Sequence, residues 1–336
     1  MKNREEVQNG GVIWQRIAGF FSAFGSKVKE ELPFLLLVVA VFSFVLFSRM
    51  IPGEKVTGNG NVYLSITVIE FCVFVLPAMI FARYRGMDFI KKTNMSFPGF
   101  STLAFVFFML LVLIFSNVLI TLAFYSGTSP VEGEVSTITM SFDIKDPDIL
   151  GIILIFAVIP AICEEFVFRA IIMSELKKYG YLTAIIISSI MFALIHYNNS
   201  GFVIYFFSGL LLGLTAYVTR SVGAAMLLHI MYNIYGLFFE SYLWGAISRN
   251  VNLILVVFIA AVVLLVSLMV CFFEAERMFN DYSVMGVPAP ESYVNRDEVE
   301  NADELIAKRR KKSLLAFISP TLLAAVAIYM LVVSQI

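Results

Sequence analysis

The sequence predicts an all-α polytopic membrane bundle of about eight or nine transmembrane helices. Of the 336 residues, 60% are hydrophobic and 15% charged. Apolar runs of about 20 residues recur along the chain, and the charges gather between them. A soluble domain does not have this pattern, and a helix needs about 20 apolar residues to cross the hydrocarbon core.

Residues 1–31 are mixed in charge and contain VIWQRIAGFFSAFG, which reads as an interfacial amphipathic helix. No small-residue site follows a short apolar core there, so a cleavable signal is not expected. Residues 32–273 form the membrane core, with apolar runs at roughly 33–51, 62–83, 100–125, 149–172, 182–196, 201–219, 221–240 and 252–273. A polar cytoplasmic loop, 274–312, follows, and a last span, 313–336, completes nine. Within the loop VPAPESY reads as irregular chain and DEVENADELIAKRRKK as a helix whose basic end meets the membrane surface.

Basic residues sort the loops. Arg83, Arg85, Lys91 and Lys92, then Lys177 and Lys178, then Arg220, then Lys308 to Lys312 fall on one side when spans alternate. The longest opposite loop carries Glu132, Glu134, Asp143, Asp146 and Asp148. The positive-inside rule puts the N-terminus in the cytoplasm and, with nine spans, the C-terminus outside. An integral multi-pass protein, of a bacterial cytoplasmic membrane, is the expectation; nucleic acid is not an expected partner. Cys72, Cys163 and Cys271 all lie in apolar runs and give neither a disulfide framework nor a CxxC metal site.

Charged side chains in lipid cost about 2.5–3.5 kcal/mol each near the bilayer centre, so those present usually serve a site or a pathway. Here they are Glu70, Glu164, Glu165 and Arg169, joined by the chain's two histidines, His196 and His229. Asn233 follows His229 by four residues, as Arg169 follows Glu165, so each pair shares one helix face. At about 1.5 Å of rise per residue, Glu164 stands roughly 20 Å from Lys177 and His196 roughly 21 Å from Tyr181. On the same basis His229 and Asn233 stand about 13 and 20 Å from Arg220. Three helices therefore bring polar groups to one layer. Glu70 is left outside this set, and Tyr197 and Asn198 read as loop or cavity rim.

A glutamate beside an imidazole can take a proton from water, and a second imidazole with an amide offers donors to the oxyanion formed when that water attacks a carbonyl. Other intramembrane proteolytic chemistries lack their residues: HExxH is absent, every aspartate lies in a loop or at a span end, and Ser208 has no glycine at position 206. Glu165 with Arg169 reads either as support for the site or as a structural ion pair locking two helices.

EEFVFR at 164–169 fits EExxxR, FALIH at 192–196 fits FxxxH, and HIMYN at 229–233 fits HxxxN. Together, in this order, they resemble the CPBP family, the CAAX proteases and bacteriocin-processing enzymes also called Abi, which are intramembrane glutamate proteases. The resemblance covers about 148–240. It implies a helical membrane bundle with a cavity, and roles by position: Glu164 activates water with His196, His229 and Asn233 stabilise the oxyanion, and Glu165 and Arg169 support them. The implied substrate is a membrane-bound or lipidated peptide or protein in the bilayer, and no cofactor is expected. A metalloprotease-like variant stays open, because Glu164, His196 and His229 have the donor types of a three-ligand zinc site. So does another class: a non-catalytic bacteriocin-immunity or membrane-assembly protein, or a proton-coupled transporter using the glutamates as a relay.

Overall fold

The computed structural model describes residues 31–47, 62–86, 99, 102–124, 148–248, 252–286 and 302–333, and every regular element among them is helical. The proposed N-terminal interfacial helix, most of the long acidic loop, Lys91, Lys92 and VPAPESY lie outside the described residues. In chain order the helices are α1 (Glu31–Phe47), α2 (Val62–Arg85), α3 (Leu103–Phe124) and α4 (Ile149–Tyr179). They continue as α5 (Tyr181–Ile195), α6 (Phe202–Val218), α7 (Val222–Phe238) and α8 (Glu240–Ser248). Finally come α9 (Leu253–Val284), α10 (Ala302–Ala316) and α11 (Pro320–Val333).

A helix stands at each of the nine expected spans, but their lengths differ. By length and composition five spans can cross a membrane: α2, α3, α4, α9, and α10 with α11. A sixth is α7 with α8 if that pair, bent by 53°, is one span. Among the described residues α1, α5 and α6 are shorter apolar helices. The 15 residues of α5 reach only about 22 Å, against roughly 30 Å of hydrocarbon. It therefore ends at His196 in a buried turn, where Tyr197 is 6% exposed. Irregular backbone at such a place is tolerated only where protein or a cavity covers it.

The core runs between α1, α3, α4, α5, α6 and α7, around Phe42, Leu113, Phe168, Met191, Leu212 and Leu228. Residues Gly209 and Gly213 let α6 approach α5 closely: a Cβ on Gly209 would lie 3.1 Å from the Ser189 Cα, and one on Gly213 would lie 3.1 Å from the Ile185 side chain. Against α3 lies α9, with Ala260, Ser267, Cys271 and Met278 buried, a seven-four-seven spacing that makes a narrow seam. Its other faces, including Phe258, Leu265 and Phe272, are exposed, as a lipid-facing helix requires.

The basic ends meet. Arg85 donates to both carboxylate oxygens of Glu175 at 2.9 Å, and Lys178 lies 3.8 Å from the same group. Lys177 sits over Tyr181, whose ring packs on Tyr217; Tyr217 packs on Phe279, Phe279 on Tyr282, and Arg220 covers Tyr282. These contacts put the ends of α2, α4, α6 and α9 and the start of α5 at one pole of the bundle. The expected alternation requires that grouping.

Candidate active site

The site is built on a helix that is not regular. The α4 helix widens into π turns at Leu154–Val158 and Phe166–Ile172, on either side of the segment Ile159–Glu165. Pro160 lacks an N–H and cannot sit in an unbroken α-helical ladder, so the preceding π turn, in which the Ile159 N–H reaches the Leu154 carbonyl, accommodates it. The second turn follows the two glutamates directly. Successive residues on a helix point about 100° apart, since a turn takes 3.6 residues. Glu164 therefore faces a cavity while Glu165 turns into protein, where it is 0% exposed.

That cavity holds about 250 Å³. Glu164 from α4, His196 from the end of α5, and His229 and Asn233 from α7 all line it. The layer expected from helix rise is thus a shared wall.

Each ring has a defined neighbour. His196 donates from Nδ1 to the Phe192 carbonyl at 2.7 Å, because a carbonyl can only accept; the neutral ring then carries its lone pair on Nε2. It stacks on Tyr205 with centroids 3.8 Å apart and planes 21° apart. His229 Nδ1 lies 2.9 Å from Glu165 Oε1, so the carboxylate accepts from the ring and sets its orientation. A ring held in this way can donate from Nε2 only when it carries both protons. Asn233 donates from Nδ2 to the Ala157 carbonyl, in the first π turn, at 3.3 Å, which leaves its other amide proton for a second acceptor.

Arg169 is 1% exposed and pairs with the same Glu165 Oε1 at 2.7 Å. Its second terminal nitrogen donates to the Gly209 carbonyl at 3.1 Å, and its plane lies over Phe192, 4.6 Å from the centroid. Glu165 is therefore the hub between α4 and α7, and Arg169 the tie to α6. The sequence alone offered support or a structural pair as alternatives. In the structure the pair lies within α4 and reaches its neighbours through His229 and Gly209.

Six further residues belong around the site, where the sequence alone did not place them. Tyr197 lies in the loop after α5, one of the two places expected of it: its φ is 47°, in the left-handed region, and its hydroxyl donates to the Phe42 carbonyl of α1 at 2.9 Å. This clamp fixes the turn that ends at His196. Ser208 and Tyr232 line the cavity and both accept from Asn117 Nδ2 of α3, at 3.2 and 2.8 Å. Only tertiary structure joins these residues. Glu240, visible in the sequence as an acid ending the seventh apolar run, also lines the cavity. Glu70, immediately before a π turn in α2, is close enough to Glu164 for their charges to interact, and its Oε2 is buried without a hydrogen-bond partner.

Among the described residues no three His, Cys, Asp or Glu side chains are grouped to hold a metal ion.

Residues 146–235 match the family model for type II CAAX prenyl endopeptidase Rce1-like proteins. That stretch contains every side chain of the three motifs, and its limits agree closely with the 148–240 region of the resemblance. No curated protein and no solved structure gives a match.

Proposed function

We propose that the chain is an intramembrane endopeptidase of the CAAX-protease type, hydrolysing a peptide bond in a membrane-associated or lipid-anchored peptide. One observation carries the reading: Glu164, His196, His229 and Asn233, from three helices, line a single cavity of about 250 Å³ inside the family-matched stretch. Their chemistry divides naturally. Glu164 takes one proton from a water whose other hydrogen is held by the Nε2 lone pair of His196, and its oxygen attacks the substrate carbonyl carbon. The carbonyl oxygen becomes an oxyanion and accepts from the second Asn233 amide proton and from Nε2–H of doubly protonated His229. When the carbon–nitrogen bond breaks, the proton taken from the water passes to the leaving nitrogen, giving a carboxylic acid and an amine, and the acid then gives its proton to the amine or to solvent. Glu165 keeps His229 oriented, and Arg169 keeps Glu165 from being a lone buried charge. The basic pole is assigned to the cytoplasm on the distribution of Arg and Lys.

The test compares peptide termini in membranes of host cells carrying wild type or Glu164→Ala at matched expression. New termini present only with wild type support the reading and name the substrate. Identical termini, with the host phenotype intact in the mutant, refute it in favour of a membrane scaffold or immunity protein.

A further inference from the structure

A small second pocket, about 10 Å³, shares Ile204, Tyr232 and Glu240 with the catalytic cavity. That is room for roughly one water-sized group. Its remaining polar and aromatic walls are Asn117, Thr121, Tyr235 and Trp244. Two of these walls offer acceptors. Glu240 supplies a carboxylate, with Oε1 held by Trp244 Nε1 at 3.3 Å. Asn117 spends Nδ2 on Tyr232 and Ser208, and its Oδ1 is buried with no hydrogen-bond partner, in a residue 6% exposed. The Tyr232 and Tyr235 rings lie 6.0 Å apart and 27° from parallel. Turning the Asn117 amide round would present a donor instead, but an anion would then have to enter beside Glu240 and the negative faces of aromatic rings. An acceptor oxygen, a carboxylate and aromatic faces together suit a small cation.

We propose that this side pocket is a subsite for a primary ammonium group carried by the peptide in the catalytic cavity, either a lysine side chain or a free amino terminus. Its size favours the compact ammonium over the broad, planar guanidinium of arginine. The choice of substrate rests on the endopeptidase reading, while the ammonium site does not.

The test uses the full chain in lipid nanodiscs with Trp14→Phe, which leaves Trp244 as the only tryptophan. The probe is n-hexylammonium, with n-hexanol as the control for membrane partitioning. A saturable change in Trp244 emission with hexylammonium, absent with hexanol and weakened tenfold or more by Glu240→Gln, is the expected result. Equal responses to both probes, or an unchanged response in Glu240→Gln, overturn the proposal. A second arm follows cleavage of peptides identified by the terminus comparison, with lysine replaced by norleucine or with the amino terminus acetylated. Loss in the first variant assigns the subsite to lysine, and loss in the second assigns it to the amino terminus. Equal cleavage of all forms removes the subsite from substrate recognition and contradicts the proposal. Ammonium binding without cleavage of any peptide upholds the pocket and refutes the endopeptidase reading instead.

Discussion

Removing Glu165 separates the structural from the chemical role of the site's buried charges. In Glu165→Ala the Arg169 guanidinium, 1% exposed, loses its carboxylate and keeps the Gly209 carbonyl, bonded through Nη2, and its packing on Phe192. Breaking a buried ion pair from one side costs about 3–5 kcal/mol, because a charge is left uncompensated. Replacing both members by apolar groups of similar volume is often neutral or stabilising. Glu165→Leu with Arg169→Met should therefore recover most of the stability that Glu165→Ala loses, measured by reversible denaturant unfolding of purified protein in mixed micelles. Activity should not recover with it. Both variants remove the acceptor that holds His229 Nδ1, 2.9 Å away in wild type, and so misplace an oxyanion donor. Such donors are worth about 10²–10³ in kcat. A double variant as active as wild type would refute the orienting role of Glu165. A Glu165→Ala protein as stable as wild type would refute the claim that Arg169 depends on it.

Three further outcomes follow from single contacts. Asn233→Ala should lower kcat about 10²–10³-fold with little change in KM, since its free amide proton acts on the oxyanion; a change in KM alone would contradict that role. Gly209→Ala should destabilise the protein by about 1–3 kcal/mol in the same unfolding assay, because the new Cβ meets the Ser189 backbone at 3.1 Å and α5 and α6 must separate; an unchanged midpoint would show that the helices have slack. Tyr197→Phe removes the hydroxyl bonded to the Phe42 carbonyl and should cost about 1 kcal/mol of stability, with cleavage reduced because the turn holding His196 loosens; unchanged kinetics would free His196 from that clamp.

Much of the site was legible because it is written locally. Glu164 and Glu165 are adjacent, Arg169 lies one helical turn on, and Asn233 stands one turn from His229, so helix periodicity alone predicts which groups share a face. The rise per residue then places α4, α5 and α7 at a common level, and Glu164, His196, His229 and Asn233 line one cavity. What periodicity cannot express is the partner across a helix interface. The Glu165–His229 bond spans 64 residues, Tyr197 to Phe42 spans 155, and Asn117 to Tyr232 spans 115. Helix length was partly hidden for a related reason. An apolar run marks a buried or lipid-facing segment, and α5 is apolar because protein surrounds it, although its 15 residues are too few to cross the hydrocarbon. The π turns beside Glu70, Pro160 and Glu165 were also invisible, apart from Pro160, whose missing N–H is a local reason for one of them.

The most direct measurement is the rate of peptide hydrolysis by purified wild type and Glu164→Gln in nanodiscs, on a substrate identified from the membrane termini, with unfolding measured on the same samples. Glutamine keeps the shape of the side chain and removes its ability to take a proton. The account predicts a loss of about 10²–10⁴ in rate with stability preserved. Equal rates at equal stability would contradict the assignment of Glu164 as the group that activates water.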